Sequence, residues 1–118
     1  MSQAYDRERL VELFGGDVAT IAEIERDFLD SARSARKEIG ETDDFETIAR
    51  AAHRVKGAAG MIGADSLSEV AAAVERAARD RDLSAVRNFD DALAQEVARV
   101  AAQVGAGQAR GRSITVAE

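Results

Sequence analysis

Apolar residues recur along this chain at alternating three- and four-residue steps, in five segments separated by short polar or glycine-bearing junctions, and no proline interrupts them. That period is the mark of amphipathic helices. A half-buried strand would alternate at every second residue, and long β-branched or aromatic runs of that kind are missing. Alanine, the strongest helix former, supplies about a fifth of the residues.

The first segment covers residues 5–14, with Tyr5, Leu10, Leu13 and Phe14 on one side, and stops at Gly15 and Gly16. Asp17 is the expected N-cap of the second, over 18–40, whose stripe runs Ile21, Ile24, Phe28, Ala32, Ala35, Ile39 and closes at Gly40. Asp43 and Glu46 have the spacing of a capping box ahead of the third stripe: Phe45, Ile48, Ala52, Val55, Ala59 and Ile62. Gly63 falls where a left-handed C-cap is expected. Ser66 and Glu69 repeat the capping-box spacing before Leu67, Val70, Ala71, Val74 and Ala78. The fifth segment presents Leu83, Val86, Phe89, Leu93, Val97, Val100 and Val104.

Helices of this length joined by short loops become antiparallel neighbours. The chain is therefore expected to be all-α: an up-down-up-down antiparallel four-helix bundle with a short N-terminal helix laid across one end. One domain spans 1–104. The glycine-rich stretch from Gly105 reads as a flexible C-terminal tail over 105–118, in which Ser113 to Val116 could pair as a strand.

Several functions are removed by residue counts. The absence of cysteine excludes disulfides, thiol catalysis and iron–sulfur clusters, and a single histidine excludes a two-histidine metal site. A net charge of −6 and only five aromatic residues argue against nucleic acid and anionic membranes as partners. No stretch approaches the ~20 apolar residues of a membrane span, and the N-terminus lacks the apolar run of a signal peptide. A cytoplasmic protein is expected.

On a helical wheel with His53 at zero, the third stripe occupies an arc of about 180° to 280°. His53 stands outside it, on the solvent side. Lys56, Gly57 and Gly60 share its face at i+3, i+4 and i+7, with Ala49 and Glu46 upstream. Glycine inside a helix costs roughly 0.8–1 kcal/mol relative to alanine. Either Gly57 and Gly60 admit a neighbouring helix or are simply tolerated, or they clear the approach of a partner macromolecule to the imidazole. Lys56, one of only two lysines against fourteen arginines, offers a compact ammonium that can follow a phosphoryl group and stabilise its oxygens.

The run His53-Arg54-Val55-Lys56-Gly57-Ala58-Ala59-Gly60-Met61-Ile62-Gly63 resembles the motif of histidine-containing phosphotransfer (HPt) domains, H-x-x-K-G with a further glycine. Ala51, Ala52 and Ala64 fit it too, as does the Leu13-Phe14-Gly15-Gly16-Asp17 junction, and the likeness spans about residues 8–104. The resemblance implies a phosphorelay intermediate. The neutral imidazole of His53 would attack the aspartyl phosphate of a receiver domain and return the phosphoryl group to another receiver.

By the same resemblance Lys56 stabilises the phosphoryl group, and Glu75 on the fourth helix orients the imidazole by accepting a hydrogen bond; the bland alternative for Glu75 is a solvated charge. Arg50 and Arg54 border the histidine face and, with Gly57 and Gly60, form the expected partner-binding surface. The implied partners are response regulator receiver domains and a hybrid or sensor histidine kinase. Mg²⁺ is expected on the receiver, and no cofactor or metal on this chain, which would be a monomeric phosphoryl carrier rather than an enzyme.

Two other functions fit part of the pattern. The phosphoacceptor domain of a chemotaxis-type kinase has nearly the same motif, and a helical adaptor without chemistry has the same stripes. The dimerisation domain of an ordinary sensor kinase fits less well, since Arg54 stands where that family has an acidic residue.

Overall fold

In the computed structural model residues 3–116 are described, with side chains for residues 3–107. Among them are six helices: α1 Arg7–Phe14, α2 Val18–Glu41, α3 Phe45–Met61, α4 Asp65–Arg79, α5 Leu83–Asn88 and α6 Asp90–Val116. α2 packs on α3 and α6, and α4 on the same two, which closes the four long helices into a bundle. The expected all-α bundle is the observed fold, with α1 packed on α2.

The stripes form one core. Ile21, Phe28, Ile39, Ile48, Val55, Leu67, Val74, Val86, Leu93 and Val100 are among the residues it buries. Each such branched or aromatic side chain contributes about 1.5–3 kcal/mol on burial. α3 and α4 also pack against each other, and both bury many alanines: Ala49, Ala51, Ala52 and Ala59 on α3 and Ala71, Ala77 and Ala78 on α4. Small side chains let the two backbones approach, so a residue on α4 can reach the histidine face of α3.

Several details depart from the local signals. α3 is capped by Asp44, not Asp43: its carboxylate accepts from Thr47 N at 3.1 Å and Thr47 Oγ1 at 2.5 Å. Asp43 instead meets Arg87, whose guanidinium also donates to the carbonyls of Ile39 and Thr42 and so ties the end of α2 to α5. α4 begins at Asp65 behind Ala64, with no side-chain cap, so Ser66 lies inside the helix. Ala64 is buried in a tight junction, its N–H donating to Ala59 O at 2.8 Å, and the cap position has no room to face solvent.

The apolar period predicts one helix over 83–104, whereas the chain breaks at Phe89 into α5 and α6. Asp82 caps the first piece through Ala85 N, and Asp90 and Asp91 place two carboxylates at the positive end of the second. The stripe keeps its phase across the break because a single residue separates the pieces. α6 then continues past Val104 to Val116, through the stretch expected to be a flexible tail or a short strand. Once a helix exists each added residue gains a hydrogen bond, and with no proline in the way glycines weaken it without ending it. Residues 117 and 118 of that expected tail lie outside the described residues.

Tyr5 and Leu10 are buried as expected, but Leu13 and Phe14 are exposed. They share Leu10's side of α1, and no described residue covers that end of the helix. The segment before α1 is clamped instead by polar contacts: Gln103 accepts from Ala4 N and Tyr5 N and donates to Tyr5 O, and the Tyr5 hydroxyl donates to the buried Glu25 carboxylate.

Gly63 joins that segment to the end of α3. Its φ is +71°, and an added Cβ would lie 2.6 Å from Asp6 Cβ, beside the Asp6 N to Ile62 O hydrogen bond of 2.9 Å. Gly63→Ala therefore meets both left-handed strain and a clash, and a loss of about 2–3 kcal/mol is expected, read from urea unfolding followed by circular dichroism.

Candidate functional site

His53 lies near the middle of α3, its side chain 62% exposed, as the wheel predicts. Directly below it is the carboxylate of Glu75, from α4, which is not a solvated charge: its side chain is only 8% exposed. Glu75 Oε2 is 3.0 Å from His53 Nδ1 and 2.7 Å from Arg79 Nη2, with Arg79 Nε at 3.3 Å. Glu75 Oε1 is 2.8 Å from Lys56 Nζ. One buried carboxylate thus gathers the imidazole, an ammonium and a guanidinium.

Burial alone would raise the Glu75 pKa, because it disfavours the charged form. Hydrogen bonds from Lys56, Arg79 and His53, with the Lys56 charge, outweigh that and hold it down at about 2. An ionised carboxylate only accepts hydrogen bonds. It therefore places a proton on Nδ1 of a neutral His53, which leaves the lone pair on Nε2, at the far edge of an exposed ring.

The remaining expected residues divide. Gly57 is exposed, and a Cβ built on it meets nothing within 4 Å, while one on Gly60 would meet only Ser68 Oγ at an ordinary 3.8 Å. Packing among the described residues requires glycine at neither position. The Gly60 carbonyl is engaged by Arg9 of α1, whose Nη1 lies 3.0 Å away, and Ser68 Oγ donates to Lys56 O at 3.1 Å. Arg54 points to α2, where it pairs with Glu38 at 3.0 Å. Arg50 stays beside His53, in a groove of about 560 Å³ between α3 and α4 floored by Phe45, Ala49 and Ala78.

Arg79 is the site residue that sequence reasoning missed. Its only signal is the i+4 spacing from Glu75, which becomes informative once Glu75 is known to be buried. Among the described residues no cluster of three or more His, Asp or Glu side chains could hold a metal ion, and no helix is long and apolar enough to cross a membrane.

The fold and site together define a helical bundle that presents one oriented, solvent-facing imidazole. A family model described as Hpt domain matches residues 9–103, and the chain belongs to that family. Hpt domains are phosphocarrier modules of two-component signalling, which exchange phosphoryl groups with receiver domains and kinases. Comparison with curated proteins and with solved structures gave no match.

The charge on Glu75 has a measurable consequence. A carboxyl whose folded pKa lies below its ordinary 4.5 stabilises the fold fully above that pH, and the contribution is lost as pH falls from about 4.5 through about 2. Glu75→Gln leaves Lys56 and Arg79 without their counter-charge, and a loss of about 1–3 kcal/mol is expected at pH 7. The gap between wild type and variant should narrow as pH falls through that window, measured by denaturant unfolding at a series of pH values.

Proposed function

We propose that this chain is a phosphorelay intermediate, accepting a phosphoryl group from the aspartyl phosphate of one receiver domain on His53 and passing it to another. The observation that carries the proposal is the 3.0 Å contact between Nδ1 and the buried Glu75 carboxylate, which aims the free Nε2 outward. In transfer a bond forms between Nε2 and phosphorus while the acyl phosphate P–O bond breaks, releasing the receiver's aspartate. The ring gains positive charge as it attacks, and Glu75 stabilises that charge through the Nδ1 proton while fixing the ring's orientation.

Lys56, 37% exposed and one turn from His53, supplies positive charge to the phosphoryl oxygens. Mg²⁺ is held by carboxylates of the receiver. Gly57 and Gly60 leave bare backbone where the receiver must descend on the ring, with Arg50 and Arg54 at the border. The chain acts in the cytoplasm as a monomeric carrier, served by a hybrid or sensor histidine kinase upstream, and has no kinase activity of its own.

Incubation with receiver domains phosphorylated by acetyl phosphate and Mg²⁺ should give an acid-labile, alkali-stable phosphate on the wild type and none on His53→Ala. Label persisting in His53→Ala would refute the site. Gly57→Ala separates folding from function. It should stabilise the helix by up to about 1 kcal/mol, since nothing among the described residues opposes the methyl, and yet slow transfer about tenfold or more. Rate assays paired with thermal unfolding read both effects.

A further inference from the structure

The groove beside His53 is basic on a protein whose net charge is −6. Arg50, Arg79 and Arg81 line it together with His53, and Glu46 supplies its one lining carboxylate. Asp44 stands near Arg50 and Arg81, but its carboxylate is taken up by the backbone and hydroxyl of Thr47. Arg79 is bound to Glu75, whereas the exposed guanidinium of Arg81 lies over the Phe45 ring, 5.8 Å from its centroid.

Arg81 is also the one described residue other than glycine with positive φ, at +58°. It follows the C-cap of α4, where Arg81 N donates to Ala78 O and Asp82 N to Ala77 O. Glycine closes a helix there without strain. The arginine side chain is unnecessary for the turn, and what it adds is a cation at the mouth of the groove. Strain of this kind is tolerated where a side chain has a use beyond the fold.

We propose that the α3–α4 groove docks an acidic segment of the receiver domain next to its phosphorylated aspartate, with Arg81 and Arg50 as the recognising charges. This rests on the relay function proposed above. A receiver's transfer site is acidic by its chemistry, since it combines an aspartyl phosphate with carboxylates that hold a divalent cation. Such a surface is repelled by the chain's net negative charge and attracted to the groove, which shares His53 with the transfer site. Attraction there speeds encounter and sets the register of the two proteins. A phosphate polymer would face the same repulsion along its length, with only this short groove to offset it.

The test uses a receiver domain, phosphorylated with acetyl phosphate and Mg²⁺, that labels the wild-type chain. Transfer rates are compared for wild type and for Arg81→Lys, Arg81→Gly and Arg81→Glu, at 50 and 500 mM salt, alongside melting temperatures. Docking by charge ranks kcat/KM as Arg and Lys together, then Gly, then Glu. The Glu variant should fall about tenfold at low salt and its deficit shrink to about twofold at high salt. A purely structural role follows φ instead: Gly would then melt highest and transfer best, with Lys and Glu alike. That second ranking, or equal rates for all four chains, overturns the docking site while His53 stays the carrier. If no receiver labels the wild type, while phosphoramidate supplied as a small donor does label His53, the relay function falls and the docking proposal falls with it.

Discussion

A single buried carboxylate organises the functional half of this molecule. Glu75 could not remain ionised between two packed helices without compensation, because taking a carboxylate out of water costs several kcal/mol. The compensation comes from both sides, Lys56 and His53 on α3 and Arg79 on its own helix. The ion cluster therefore ties α3 to α4, and that tie fixes which edge of the imidazole meets solvent. Stability and nucleophile orientation depend on the same atoms.

Three of the residues near His53 are ones that local rules disfavour. Gly57 and Gly60 occupy helix interior where alanine would be more stable, and Arg81 occupies a left-handed position suited to glycine. Gly63 shows the contrast, since its positive φ and its contact with Asp6 make glycine a requirement of the fold. Glycine at 57 answers no such demand. Local consistency is given up at positions 57, 60 and 81, where a partner is proposed to approach.

Much of the fold was legible in the sequence because burial and helical period coincide. The stripes from Ile21 to Ile39 and from Ile48 to Ile62 are the buried faces, and Asp17 caps α2 as its position predicts. Misreadings arose where a local pattern depends on what lies across from it. Leu13 and Phe14 continue an apolar side but outrun the surface that covers it. Ser66 has capping chemistry, yet the short α3–α4 junction starts the helix two residues earlier than a Ser66 cap would, at Asp65. A helix break at Phe89 that preserves the apolar phase is invisible to periodicity, and a glycine-rich composition did not foretell helix to Val116.

The sequence by itself determined the helices, their apolar faces and the exposure of His53 with Lys56, Gly57 and Gly60 beside it. These follow from positions within one helix, where 3.6 residues per turn settles which side chains are neighbours. Only the tertiary structure decided that Glu75 is buried beneath the ring, that Arg79 joins it, that Arg54 is drawn to Glu38, and that Arg50 and Arg81 share a groove with His53. Each of these pairs residues on different elements or depends on such a pairing. Their alignment is set by how whole helices pack on one another, a distance and a rotation that no single helix encodes.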